Sequence, residues 1–402
     1  MGGRIDRDTQ EISLMSFSRT AVLVTVVVMG GPACEARPGQ AEASNQLGQS
    51  AEALRKSGIA AIVDSLGSAE ALNRGVPGIA VAIVADGDVL VQRGYGIADV
   101  SSGRGVTEHT PFNIASVTKP FTAAVVQQLA AEDRIRLDAP ASEYLPLPAV
   151  YRSITVRQLL THTSGIARDL RRDNNDDPDT AEYRRRLDAS QPSAPPGERF
   201  EYSNTGFTVL GWLVEAIEGQ PLEEVLRRRI FRPLGMHEAR YRASLGDDPE
   251  RARPHAVVDG VPQPTLFISG GFGSGGISLS AADLAAFAKG LQGGKFLPLA
   301  ELEAAWTPGK LADGRPAPVR LNSDSDGYGF GWFITSFAGR RLVTHGGGIT
   351  GYSANLYHFP DDGLTIAVLA NVKGRDDGAA PVDPLARRIA ERLLEARRPT
   401  SR

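Results

Sequence analysis

Strand signals at both ends of the chain, with a mostly helical stretch between them, predict an α+β protein. Its terminal segments are expected to form one antiparallel sheet flanked by helices, an α/β sandwich, with a helical lobe beside it. Ile79–Ala85 and Val89–Tyr95 are apolar runs on either side of Asp86-Gly87, a dipeptide suited to a tight hairpin. Beyond position 325 come Gly329–Phe333, Arg340–His345, Ser353–Phe359 and Leu364–Ala370, the last two joined through Asp361-Asp362-Gly363. Apolar residues at helical spacing fill the middle. The sheet lobe is expected from about 49–112 and 325–397 and the helical lobe from about 113–324, with a cleft between them.

Composition narrows the function. The 402 residues are 42% apolar and 23% charged, as in ordinary globular proteins, and long enough for a large core. A formal net charge of −3 gives no reason to expect a nucleic-acid partner. The runs Arg184-Arg185-Arg186 and Arg227-Arg228-Arg229 lie near acidic residues and read as solvated surface.

Residues 1–34 read as an export signal. Ala21–Met29 is apolar, follows Arg19, and is too short to span a bilayer. Met15 would leave a short, basic leader. Gly31-Pro32-Ala33-Cys34 resembles a bacterial lipoprotein processing site, which marks Cys34 for lipidation. Gly31 stands where leucine is usual, so ordinary cleavage near Ala33–Ala36 is the alternative. Residues 35–48, rich in Ala, Gly, Gln and Ser, read as a flexible tether before a catalytic domain at 49–397. Cys34 is the only cysteine, so the folded part offers no disulfide, cysteine nucleophile or thiolate metal site.

A helix is expected over about Ala51–Leu66. Thr155 starts a short helix closed by Thr161-His162-Thr163-Ser164-Gly165. The charged stretch 169–197 reads as a surface excursion with some helix around Ala181–Leu187, long enough to serve as a lid or substrate wall. Helices follow at Gly206–Glu218, at Pro221–Ile230 and, capped by Ser280, at Ala281–Leu291, with an amphipathic one at Pro384–Arg397. Gly270–Gly276 is glycine-rich but lacks the spacing and lysine of a phosphate cradle.

The chemistry centres on Ser116-Val117-Thr118-Lys119-Pro120 ahead of an apolar run. If a helix starts near Ser116, the serine and lysine share one face, one turn apart, and Pro120 lies in the first turn. Either residue alone is ordinarily a cap or a surface charge. Together they can be a nucleophile beside a proton acceptor, with the serine N–H free to face an oxyanion. Two further clusters are Tyr202-Ser203-Asn204, ahead of a helix, and His345-Gly346-Gly347-Gly348, at a strand end.

The order and spacing of the three clusters resemble the penicillin-recognising serine hydrolases. Within that group the likeness is to the branch of class C beta-lactamases, serine D-alanyl-D-alanine carboxypeptidases and related esterases. The match takes in Asn113–Pro120, His162–Ile166, Pro196-Gly197, Phe200–Gly211, Phe231, Pro233–Met236 and His345–Tyr352, over roughly 60–397. The resemblance implies a beta-lactamase/transpeptidase-like fold. It makes Ser116 the acylated nucleophile, Lys119 its proton partner, Tyr202 the shuttle to the leaving group, and Asn204 an amide holding Lys119 and substrate. The backbone N–H groups of Ser116 and Gly348 would form the oxyanion hole, with His345, Gly346 and Gly347 at the substrate edge. No metal and no cofactor is implied.

One position departs from the pattern. Beta-lactamases of this branch usually carry lysine, threonine and glycine where His345, Gly346 and Gly347 stand, and the first two help hold a substrate carboxylate. Histidine-glycine-glycine forms are similar to those of peptidase-like and esterase-like members. The expectation is therefore an exported serine hydrolase, periplasmic, membrane-anchored or secreted, acting through an acyl-enzyme on esters or peptide-like amides. A D-alanyl-D-alanine carboxypeptidase or class C-like beta-lactamase is the enzymatic alternative, and a non-catalytic penicillin-binding-like module the other. The expected partner is a small ester, beta-lactam or D-amino-acid peptide.

Overall fold

Strand β1 (Gly78–Ala85) is buried along its whole length, and its alternating side chains feed two separate cores. Ala80, Ala82 and Val84 join the larger core, while Ile79, Val81, Ile83 and Ala85 join the smaller one. In this computed structural model the described residues are 56–72, 76–173, 176–242, 248–319, 325–374 and 380–396. The expected leader, Cys34 and the expected tether lie outside them. The chain divides into two units, Met1–Glu52 and Ala53–Arg402, and every described residue belongs to the second.

The hairpin at Asp86-Gly87 forms as its residue types require: both adopt positive φ, 55° and 82°, and lead into β2 (Asp88–Asp99). Short strands follow: β3 (Arg104–Gly105), β4 (Phe112–Asn113), the hairpin β5 (His255–Val258) with β6 (Val261–Pro264), and β7 (Ser278–Leu279). At the carboxyl end lie β8 (Ser325–Tyr328), β9 (Phe333–Phe337), β10 (Arg340–Ile349), β11 (Tyr352–Phe359) and β12 (Leu364–Ala370). The main sheet has eight strands in the order β3-β2-β1-β12-β11-β10-β9-β8, with antiparallel pairing throughout. Ile79 pairs with Ala370, which joins the two terminal segments as the sequence predicts.

A helix α1 over 56–72 begins the described chain. It is followed by α2 (Thr118–Ala131), α3 (Val156–Leu160), α4 (Thr180–Asp188) and α5 (Asn204–Glu218). Next come α6 (Leu222–Leu226), a π-helical turn (Arg227–Phe231) and α7 (Arg232–Leu234). Last are α8 (Ala281–Gly293), α9 (Leu299–Ala305) and α10 (Val382–Ala396). One sheet face is covered by α10, whose Leu385, Ile389 and Leu393 recur at helical spacing, together with Val63 of α1. Glu70, fully buried, is paired with Arg388 at 2.5 Å and ties these two helices together. On the other face α8 packs through Leu284 and Phe287, with the nearly all-buried α2 beyond it.

Three expectations are corrected. Gly329–Trp332 is a turn between β8 and β9 rather than a strand, and the strand begins only at Phe333. A Cβ on Gly329 would lie 1.9 Å from the Ala305 carbonyl oxygen, and Gly331 has φ 82° against the Lys119 carbonyl. The helix foreseen at Pro221–Ile230 widens into the π turn before α7 and stops at Gly235, φ 71°. The arginine runs are partly structural. Arg229 is largely buried between Glu132 and Glu218, Arg186 pairs with Asp176 and Glu182, and Arg184 stacks 4.2 Å from the Trp212 ring centre.

Candidate active site

Ser116 stands on a short 3-10 turn, Ala115–Val117, that runs into α2. The turn is held from below. β4 pairs with β7, and Asn113 accepts from the Ala115 N–H at 2.8 Å while donating to the carbonyls of Ile268 and Ser269. Ala115 adopts φ 46°, a left-handed conformation that costs a non-glycine residue about 1–2 kcal/mol. The Asn113 bond and the Val117 N–H to Ile114 oxygen bond, 3.1 Å, keep it there. Pro120 then falls in the first turn of α2, where its missing N–H leaves nothing unsatisfied.

Lys119 is fully buried and its Nζ donates three hydrogen bonds: to Ser116 Oγ (3.1 Å), Asn204 Oδ1 (2.8 Å) and the Ser274 carbonyl (2.9 Å). Burial holds its pKa well below the ordinary lysine value; the Asp169 carboxylate acts against that and Arg171 with it. The Tyr202 ring lies 4.8 Å from Nζ. Burial pushes the Tyr202 phenol well above its usual pKa, against a hydrogen bond with Ser116 and the charge of Arg168, so the phenol stays protonated.

Asn204 begins α5, whose N-cap Ser203 accepts from the Gly206 N–H at 3.0 Å. Its Nδ2 donates to Asp169 at 2.7 Å, which fixes Oδ1 toward Lys119, and Asp169 is itself paired with Arg171 at 2.7 Å. Asp169 is a member of the site that the sequence reading missed. It appears there only as the first charge of a charged excursion. That excursion packs on the site: Tyr183 of α4 shares a 3.1 Å hydrogen bond with Thr205.

The glycine-rich loop, read only as lacking a phosphate cradle, is the back wall of the site. Its Ser274 carbonyl takes the lysine, and its Gly273 carbonyl accepts from Thr122 of α2 at 2.7 Å. His162 has φ 57°, and its ring packs 4.4 Å from Tyr202 and 4.5 Å from Tyr328. Its Nδ1 accepts from the Ser203 N–H at 3.1 Å, while Nε2 is buried with no partner among the described residues.

His345 lies on β10 and is 1% exposed, so it presents no charge to the cleft. Its Nδ1 donates to the Gly346 carbonyl at 2.7 Å, which leaves Nε2 to accept from Tyr328 at 3.1 Å. Burial, with the nearby Lys119, pushes its pKa down to about 3, so it stays neutral. Past Thr344 β10 loses β9 as a partner but keeps β11 to Ile349, which bares one edge at Gly346–Gly348. Gly346 and Gly348 are exposed on that edge. At Gly347 a Cβ would lie 2.2 Å from the Ile114 oxygen and 3.2 Å from the Ser116 nitrogen, so only glycine fits against the Ser116 turn.

Two cavities flank Tyr202. One, about 770 Å³, is lined by Arg168, Phe200, Tyr202 and Leu311; the other, about 540 Å³, by Arg168, Tyr202, Phe333, His345 and Gly346. Among the described residues no cluster of His, Cys, Asp or Glu is arranged to hold a metal.

A half-exposed serine bonded to a buried lysine, with a protonated phenol and an open strand edge beside it, defines a serine hydrolase that works by acyl transfer. The chain belongs to the Beta-lactamase family, whose model matches residues 54–391. It is 31% identical over 323 residues to Penicillin-binding protein 4 of Amycolatopsis lactamdurans, covering 74% of this chain and 81% of that one. It is 36% identical over 218 residues to Esterase EstB of Burkholderia gladioli, 48% of this chain and 53% of that one. The octameric penicillin-binding protein homologue from Pyrococcus abyssi superposes with a TM-score of 0.70 at 28% identity, covering 83% of this chain and 77% of the other.

Proposed function

We propose that Ser116 is the acylated residue of an enzyme that hydrolyses esters and peptide-like amides, with Lys119 as base and Tyr202 as proton conveyor. The observation that carries this reading is the Lys119 ammonium, stripped of water and hydrogen-bonded to Ser116 Oγ at 3.1 Å. A lysine whose pKa is driven well down by burial gives up its proton more readily than an ordinary lysine and can then accept that of the serine. Ser116 Oγ then bonds to the substrate carbonyl carbon. The bond to the leaving group breaks, and the serine proton passes through Lys119 and Tyr202 to the departing atom. Water attacks the acyl carbon in the second half, and the serine recovers its proton. The oxyanion is assigned to the N–H groups of Ser116 and Gly348, a reading supported by the fit of Gly347 against the Ser116 turn.

Substrate choice follows from β10. A neutral His345 followed by Gly346 lacks the cation and hydroxyl that would hold a carboxylate at this edge. Charge-assisted bonds of that kind are worth about 1.5–3 kcal/mol each. Esters without a carboxylate at this edge are therefore preferred to penicillins. The test is intact-mass analysis after incubation with an activated ester, a penicillin and a D-alanyl-D-alanine peptide. Adduct on Ser116 with the ester, turned over fastest, supports the reading; no adduct with any of them in folded protein refutes it. Export belongs to the same proposal, supported by the apolar run Ala21–Met29 and the small residues before Cys34. A mature amino terminus at an acylated Cys34 is expected on mass analysis, and an intact Met1 or Met15 terminus would rule it out.

A further inference from the structure

His162 grips the chain on both sides of Tyr202. Its carbonyl accepts from the Glu201 N–H at 2.8 Å, and its Nδ1 accepts from the Ser203 N–H at 3.1 Å. Its ring packs 4.4 Å from that of Tyr202, which also stacks with Phe333 at 6.1 Å. Packing alone would be served by any ring, and an imidazole is a poor filler here. Its Nε2 is buried with no partner among the described residues, an arrangement folded proteins usually avoid. What imidazole supplies and phenyl does not is the acceptor at Nδ1. A ring nitrogen accepts only while unprotonated, so the Ser203 bond puts the single proton on Nε2 and requires a neutral ring. Burial and the nearby Lys119 hold the His162 pKa well below the ordinary histidine value, which keeps it so. Without the acceptor, the N–H of Ser203, itself 1% exposed, would be left buried and unpaired. Ser203 is the N-cap of α5, so a shift that relieved this would disturb Tyr202 on one side and Asn204 on the other.

We infer that His162 is a positioning residue of the reaction: its neutral imidazole, bonded through Nδ1 to the Ser203 amide, sets where the Tyr202 phenol stands relative to the departing atom. This rests on the acyl-enzyme reading above, in which Tyr202 conveys the serine proton to the leaving group. His162 acts through Tyr202, so its importance grows with the leaving group's need for that proton. A nitrophenolate departs without one, whereas an alkoxide must receive it as the bond breaks.

Two esters of one acyl group test this, a 4-nitrophenyl and an ethyl ester, both followed by acid release. They form the same acyl-enzyme, so the ratio of their kcat/KM values reports acylation alone. Tyr202→Phe sets the scale and should slow the ethyl ester about tenfold more than the nitrophenyl ester. His162→Phe keeps a ring but loses the acceptor, and should displace the ratio in the same direction by about as much. His162→Asn places an amide oxygen where Nδ1 stood and tolerates the positive φ, so its ratio should stay within about threefold of wild type. A merely structural defect would slow both esters equally. In wild type, the 15N resonances of His162 should report a neutral ring protonated on Nε2 from about pH 5 to about pH 8, a measurement that needs no variant to fold. A proton on Nδ1, or a charged ring in that range, overturns the inference. So does an undisplaced ratio in folded His162→Phe, or a ratio displaced as far in His162→Asn as in Tyr202→Phe. If Tyr202→Phe slows both esters equally, or neither ester labels Ser116, the acyl-enzyme reading fails and takes the inference with it. A selective Tyr202→Phe beside an unselective His162→Phe counts against His162 alone.

Discussion

Replacing Gly347 by alanine tests how tightly the strand edge and the nucleophile are geared together. The added methyl would sit 2.2 Å from the Ile114 carbonyl oxygen and 3.2 Å from the Ser116 nitrogen. Restoring an ordinary contact needs a displacement of about 1 Å. The Ile114 oxygen is the acceptor for Val117, so any shift is passed to the turn that carries Ser116. A misplacement of about 1 Å at a reacting group costs about 10²-fold in rate, while overpacking of this kind costs about 1–3 kcal/mol of stability. Gly347→Ala should therefore remain folded and lose about 10²-fold in the rate of Ser116 labelling by an activated ester, read by intact mass over time. Gly346→Ala is the control, because nothing lies within 4 Å of its Cβ position. Labelling of Gly347→Ala within threefold of wild type, or an equal loss in Gly346→Ala, would refute the reasoning.

Ser116→Ala should remove labelling altogether. Lys119→Ala and Tyr202→Phe should each slow acylation about 10²-fold or more, without adding in the double variant, because they serve one proton path. Asp169→Asn removes the charge that raises the Lys119 pKa, so the acidic limb of the kcat/KM profile should move to lower pH; a move to higher pH would contradict the assignment. Its plateau should fall about tenfold, as Asn204 exchanges a carboxylate acceptor for a weaker amide oxygen whose NH2 can also turn toward it. Stability should fall as pH drops from about 6.5 toward 3, because His345 and His358 stay neutral when folded (both to about 3) but charge when unfolded. Each contributes at most about 1.4 kcal/mol per pH unit. Buried Asp283, raised by burial and by Glu238, acts in the opposite direction, so urea titrations at pH 7 and 5 should show a smaller net loss.

Local chemistry made much of this architecture legible in the sequence. Asp86-Gly87 has one good use between two apolar runs, and Thr155 and Ser280 each form a capping box with the residue three positions on. Ser116, Lys119, Tyr202 and Asn204 were visible because their chemistry is rare in that order, and the structure brings them together. Asp169 was not, since nothing in a lone aspartate foretells which amide it will hold across 35 residues. Gly329–Gly331 read as strand because the demand for glycine comes from Ala305 and Lys119, both distant in sequence. His345 was legible as a departure from lysine at the substrate edge, but its burial against Tyr328 is a tertiary fact.

The pairing of Ile79 with Ala370 sets the order in which this chain can assemble. The β1–β2 hairpin is a local contact, yet one flank of β1 has no partner until β12 has been synthesised. Until then β1 exposes an apolar edge strand, the kind of surface that holdase chaperones bind and that aggregates when left uncovered. Folding is thus completed only by the last strands, and truncations that remove β12 should leave a sticky, protease-sensitive chain rather than a smaller folded domain.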